Sequence, residues 1–238
     1  MLSLPELTCV HDRYLDLTRI AQERSGTSLA GQLLFRAGFD AEGVAILIAA
    51  SVAGAASLCA DADGGPLREG LRHGFCDFVV NSLDEALRIL KNEVRRARPV
   101  SVGVIKASHL CIAEMLDRGL QPDLLSPGAS ANEAQLLFDR GAILVPNEPS
   151  GGADASLLLW TATEPAKNLP RLAALAGEAL DPAHPETPAR LRWLEAAPRY
   201  LGRTFGPRQC LRMTPAEIAA FLPRAQAALP SMTFVQEG

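Results

Sequence analysis

Leu33-Leu34-Phe35-Arg36-Ala37 runs into the turn Gly38-Phe39-Asp40-Ala41-Glu42-Gly43, and an uncharged apolar run then continues to Ser57-Leu58-Cys59-Ala60-Asp61. The first five residues read as a short strand. The run 43–60 is Ala-rich, broken by Ser51, Gly54 and Ser57, and short of the roughly 20 residues a membrane span needs, so it reads as a buried helix leading into a buried strand. The result is a strand–turn–helix–strand unit whose second strand ends in an acid about 20 residues after the glycine turn. In dinucleotide-binding folds such an acid accepts hydrogen bonds from ribose hydroxyls. The turn keeps two of the three glycines of G-x-G-x-x-G and sets Asp40 and Glu42 where a phosphate would be repelled. A tight strand-to-helix turn with no ligand is the competing reading.

Working outward, β-rich runs at 33–37, 57–61, 75–80, 101–106, 123–126, 142–146 and 156–162 alternate with segments of helical period. That pattern predicts an α/β fold with a parallel sheet and helices on both faces. The clearest helix is 82–98, where Leu83, Ala86, Leu87, Leu90 and Val94 share one face, Ser82 and Glu85 form a capping-box start and Pro99 ends the run. A second helix covers about 110–118. After Ser150-Gly151-Gly152 prolines recur, which predicts short helices at 168–180, 187–200 and 214–228 and a small strand at 234–236. The domain reading is therefore 1–149 as a nucleotide-binding type of α/β domain, and 150–238 as a continuation of its sheet with a helical C-terminal part packed on it.

A net charge of −4 offers no basic field for phosphates, which argues against nucleic acid. Cys9, Cys59, Cys76, Cys111 and Cys210 are odd in number and contain no C-x-x-C pair, as expected of thiols in a reducing cytoplasm. No membrane partner is expected. Four scattered histidines have no metal-ligand spacing.

Ligands of open parallel sheets sit beyond the carboxyl ends of the strands. That rule selects 38–43, 61–65, 106–109 and 126–132. The candidate ligand-binding residues there are Gly38, Gly43, Asp61, Lys106, Ser108, Ser126, Ser130 and Asn132. His109 is read as an acid, a base or a capped surface residue, and Cys111 as a packed thiol. Arg208 could grip a substrate carboxylate or form a surface ion pair. No catalytic residue is assigned.

Several blocks resemble urocanase, the urocanate hydratase family. They are Ser28-Leu29-Ala30-Gly31, Ala37-Gly38, the stretch from Ala49 to Leu58, Ser82-Leu83-Asp84-Glu85-Ala86-Leu87, Arg98-Pro99-Val100-Ser101-Val102-Gly103, and Arg118-Gly119-Leu120-Gln121-Pro122-Asp123 leading to Ser126 and Asn132. The likeness spans 10–147 and continues more faintly through Trp160, Trp193 and Pro207-Arg208-Gln209-Cys210. It implies a Rossmann-like domain with NAD, the candidate cofactor, held as an electrophile. It also marks departures. Asp61 stands for a glutamate, Ala107 and Ser108 for an Asn-Ala pair, and Lys106 for a glycine. In the loop that follows, Gly128, Asn132 and Glu133 replace glutamine, histidine and aspartate. The family's C-terminal Asp-His-Leu-Asp-Cys-Gly-Ser and His-His-Gly-Gly-Gly blocks and its N-terminal substrate-binding portion are not found in the sequence. The expectation is a protein without urocanate hydratase activity that binds a nucleotide or small anionic metabolite. The alternatives are a scaffold or oligomerisation module, with a cleft filled by Phe39, Ile46 and Leu47 and a homodimer among its assemblies, and a divergent NAD-dependent hydratase.

Overall fold

Side-chain alternation along β1 (Leu33–Ala37) sets up the first of two compact units, 1–150 and 151–238. The computed structural model describes residues 2–24, 26, 28–126, 128, 131–146 and 155–237, and the side chains of all of these except 131–134 and 237. Around β1 the first unit contains α1 (Leu7–Glu23), α2 (Ala41–Ala53), β2 (Ala56–Asp61), α3 (Gly64–His73), β3 (Phe78–Val80), α4 (Leu83–Arg95), β4 (Ser101–Ile105), α5 (Ser108–Asp117), β5 (Leu124–Ser126), α6 (Ala131–Asp139) and β6 (Ile143–Leu144).

The six strands form one sheet in the order β3-β4-β2-β1-β5-β6, and every pairing is parallel. Phe35, Leu58, Val102 and Leu125 point to one face, where they pack with Leu87 and Leu90 of α4, Ile112 and Met115 of α5 and Leu137 of α6. The alternate residues point to the other face, where Gly103 lies against Leu67 of α3. Successive units step from β1 to β2 on one side, and the chain returns to place β5 on the other side of β1. The topological switch point is therefore between β1 and β5.

After Glu42, α2 has no charged residue, and everything from Gly43 to Ala53 is buried, because α1 packs along the helix on the side away from the sheet. Burying Ile46, Leu47 and Ile48 is worth roughly 1.5–3 kcal/mol each. At α4 the Ser82 hydroxyl accepts the Glu85 N–H at 3.3 Å, while the Glu85 carboxylate reaches back one residue further than a capping box requires, to the Asn81 N–H at 3.1 Å.

The second unit corrects the expectation of a continued sheet. Here β7 (Ser156–Thr161) does not join the parallel strands. It is the centre of a separate antiparallel sheet, β8-β7-β9, and is followed by α7 (Pro165–Ala179), α8 (Thr187–Tyr200), α9 (Gly202–Phe205), β8 (Arg208–Met213), α10 (Pro215–Ala228) and β9 (Thr233–Glu237). The physical reason lies in β8. Its residues Arg208-Gln209-Cys210-Leu211-Arg212-Met213 pair along the full length of β7, whose other edge is taken by β9, so both ladders of β7 are filled from within the unit.

Candidate functional site

Because the strands are parallel and in register, the predicted residues share one edge. Ala37 pairs with Ala60, Asp61 with Ile105, and Arg36 with Ser126, so Lys106, Asp61, Gly38 and Ser126 follow one another along the carboxyl rim. Gly38 has φ +87°, a left-handed conformation that favours glycine, and its N–H donates to the Ala60 carbonyl at 2.8 Å. Gly43 is needed for space: a Cβ there would stand 2.5 Å from the Gly38 carbonyl oxygen. A Cβ at Gly128 would run into the Ala37 carbonyl, so Gly128 itself approaches the end of β1 at the switch point.

The decisive residue at this edge is Arg36, which the sequence reading passed over. Alternation puts it on the α2 face beside its neighbour across the ladder, Ser126. Its guanidinium is 5% exposed and donates to Ser126 Oγ at 3.2 Å and Asp40 Oδ1 at 3.0 Å. Asp40 Oδ1 also accepts the Gly43 N–H at 2.7 Å and so caps α2. Asp40 occupies the place of the middle glycine in G-x-G-x-x-G, and its carboxylate sits at the helix N-terminus where that motif receives a pyrophosphate. Glu42 ion-pairs with Arg13 of α1 and accepts from the Cys9 thiol. Both acids are thus paired with cations, Asp40 with Arg36 and Glu42 with Arg13. The Asp40 carboxylate stands at the edge itself.

The remaining candidates are engaged in the same way. Asp61 Oδ2 accepts the Phe39 N–H at 2.8 Å and Oδ1 the Asp63 N–H at 2.9 Å, while Asp63 caps α3 through the Gly65 N–H at 2.8 Å. Lys106 is ion-paired with Glu114 instead of standing open to an anion. Ser108 donates to the Ala60 carbonyl at 2.9 Å. His109 is exposed on the rim. Cys111 is buried, and burial pushes its thiol up to about 12, so it carries no thiolate at neutral pH. Ser130 lies outside the described residues, and Asn132 is described only as backbone of α6. Arg208 belongs to the second unit, where it lies over the Phe205 ring at 5.1 Å and donates to the Thr204 carbonyl at 3.4 Å, with no ion pair among the described residues. Among the described residues no group of three or more His, Cys, Asp and Glu could hold a metal, and no helix is long and apolar enough to cross a membrane.

An all-parallel sheet with a glycine turn at its switch point and an acid at the end of the neighbouring strand defines a protein built on dinucleotide-binding architecture. Residues 8–136, more than half of the chain, match the family model of the urocanase Rossmann-like domain. The chain belongs to the urocanase family. The fainter likeness through Trp160, Trp193 and 207–210 lies beyond the matched segment.

In that family this domain is the NAD-binding part. The residues present here do not fit a dinucleotide. The α2 N-terminus already holds a carboxylate, Gly128 lies close against the Ala37 carbonyl at the switch point, and the Phe39 side chain is buried beneath α3 against Gly70. Ile46 and Leu47 are core residues of α2 and lie too deep to take part in filling the edge.

Proposed function

We propose that this urocanase-family chain does not hydrate urocanate, that its cofactor edge is closed to a dinucleotide by its own Asp40, and that the first unit acts as a scaffold. The observation that carries this reading is the Asp40 carboxylate at the N-terminus of α2, held by the Gly43 N–H at 2.7 Å and by Arg36 at 3.0 Å. Those are the donors and the cation that a pyrophosphate would use. The reading in which a small anion binds the rim has less support, because Lys106 is spent on Glu114 and Ser108 on a backbone carbonyl.

Calorimetric titration with NAD tests the proposal. The natural chain should give no saturable heat below roughly 1 mM. Asp40→Gly restores the G-x-G-x-x-G spacing, removes one of Arg36's partners and costs α2 only a few tenths of a kcal/mol as a cap. It should bring NAD binding into the range of about 10–100 µM. Micromolar binding by the natural chain, or an Asp40→Gly variant that gains nothing, would overturn the account of the edge. Loss of the urocanate absorbance band on incubation with the pure protein would overturn the absence of hydratase activity.

A further inference from the structure

A cavity of about 750 Å³ lies within the second unit, walled by α7, α8 and the segment from α9 to β8. Leu169, Pro170 and Ala173 line it from one face of α7, and Leu194 and Pro198, four residues apart, from one face of α8. Leu169 and Leu194 are buried while Pro165 and Pro170 are exposed, so the cavity runs from the core of the unit to solvent.

Each of these helices has a proline inside it, and a proline has no N–H for the carbonyl four residues back. For Pro198 that carbonyl belongs to Leu194, and it is taken up by Gln209 Nε2 at 3.1 Å. For Pro170 it belongs to Ala166, itself a wall residue, and no side chain among the described residues serves it. Two charged side chains also stand on the wall, Glu195 of α8 and Arg203 of α9. Neither makes an ion pair or side-chain hydrogen bond with a described residue. Small-molecule sites are mostly apolar cavities of this order of size in which a few polar groups fix orientation. An apolar wall with one unpaired group of each sign calls for a ligand that has both charges and an apolar body. A fatty acid would leave Glu195 unanswered, and an alkylamine would leave Arg203.

We infer that this cavity binds an amino acid with a large apolar side chain. Its carboxylate lies on Arg203, whose fork of donors suits it. Its ammonium lies on Glu195 and the Ala166 carbonyl, and its side chain packs against Leu169, Leu194 and Pro198. The inference is independent of how the first unit is read, since every wall residue lies within 151–238.

Titration of the full chain with L-phenylalanine should show one saturable site, with a dissociation constant of roughly 10 µM–1 mM. N-acetyl-L-phenylalanine lacks the ammonium and L-phenylalaninamide lacks the carboxylate, and each should bind at least about tenfold more weakly. Both charged residues are exposed, so Arg203→Ala and Glu195→Ala should melt as the natural chain does. Arg203→Ala should weaken L-phenylalanine by about tenfold and leave the amide unchanged, and Glu195→Ala should do the same with respect to the N-acetyl compound. That crossed pattern cannot arise from a disturbed fold. Equal binding of the three compounds, no saturable heat with L-phenylalanine, or indifference to both substitutions would overturn the inference.

Discussion

Arg36 in the first unit and Arg190 in the second are both buried, with side chains 5% and 1% exposed, and each holds a carboxylate. Their partners differ: Asp40 is 65% exposed and Glu217 only 3%. Asp40 faces water, which screens its ion pair with Arg36. Glu217 has nowhere to go. It accepts from Arg190 Nη1 at 2.8 Å, the Asp181 N–H at 2.8 Å and the Thr214 N–H at 2.8 Å, and closes the capping box of α10. The same chemical pair is therefore a plug at a sheet edge in one unit and a structural rivet in the other. Exposure of the acid decides which.

The comparison breaks most sharply at Arg190. Removing it strands a buried carboxylate, so Arg190→Ala should destabilise the second unit by about 3–5 kcal/mol. Both tryptophans, Trp160 and Trp193, lie in that unit, so urea unfolding followed by tryptophan fluorescence reports on it selectively. A midpoint within error of the natural chain would mean that the rivet holds nothing.

Acid titration sharpens the same contrast. Burial alone would push the Glu217 carboxyl up, but the Asp181 N–H, the Arg190 guanidinium and the Thr214 N–H outweigh it and hold the group below its ordinary value of 4.5. The unfolded chain then binds the proton more readily. The stabilisation is complete above about pH 4.5 and is lost as pH falls through the lower folded value. Fluorescence-detected stability should drop across that interval, and Glu217→Gln should flatten the drop. An unchanged acid limb in that variant would assign it to other groups.

At the sheet edge the expected effect is smaller. A double-mutant cycle of Arg36→Met and Asp40→Asn, read by circular dichroism in urea, should give a coupling of about 1 kcal/mol or less, because the exposed acid is screened by solvent. A coupling as large as the Arg190 effect would make the edge pair a rivet too, and the exposure of the acid would no longer separate the two pairs.

What the sequence made legible follows from the range of the interactions involved. The β1 turn, Asp61 and the common rim of the loops were readable because glycine placement and apolar runs are local signals. Arg36 was missed as one charge inside an apolar strand, although a lone buried-strand arginine four residues before an acid is a usable sign of an internal pair. Helix α1 was missed because His11, Asp12, Arg13 and Asp16 obscure its apolar period, and three of these four are buried. The second sheet was misassigned because pairing of 156–161 with 208–213 joins residues some fifty positions apart, and the unbroken apolar run Leu157-Leu158-Leu159-Trp160 reads as a buried strand of a parallel sheet.

The smallest effect is expected where both partners of a pair reach solvent. Arg118 donates to Asp84 at 2.5 Å, and this hydrogen bond and the guanidinium charge hold the Asp84 carboxyl below its ordinary value. By linkage alone that shift would favour the folded state above the ordinary carboxylate range and would be lost on acidification. Yet Asp84 is 61% and Arg118 37% exposed, so water and salt compete for both charges. Asp84→Asn should therefore leave the urea midpoint of the first unit unchanged. The Asp84 carboxyl, followed by NMR titration, should still move up toward its ordinary value in Arg118→Ala and in molar salt. A measurable loss of stability in Asp84→Asn would show that solvent exposure does not rank these three arginine–carboxylate pairs, and the contrast between plug and rivet would then need another cause.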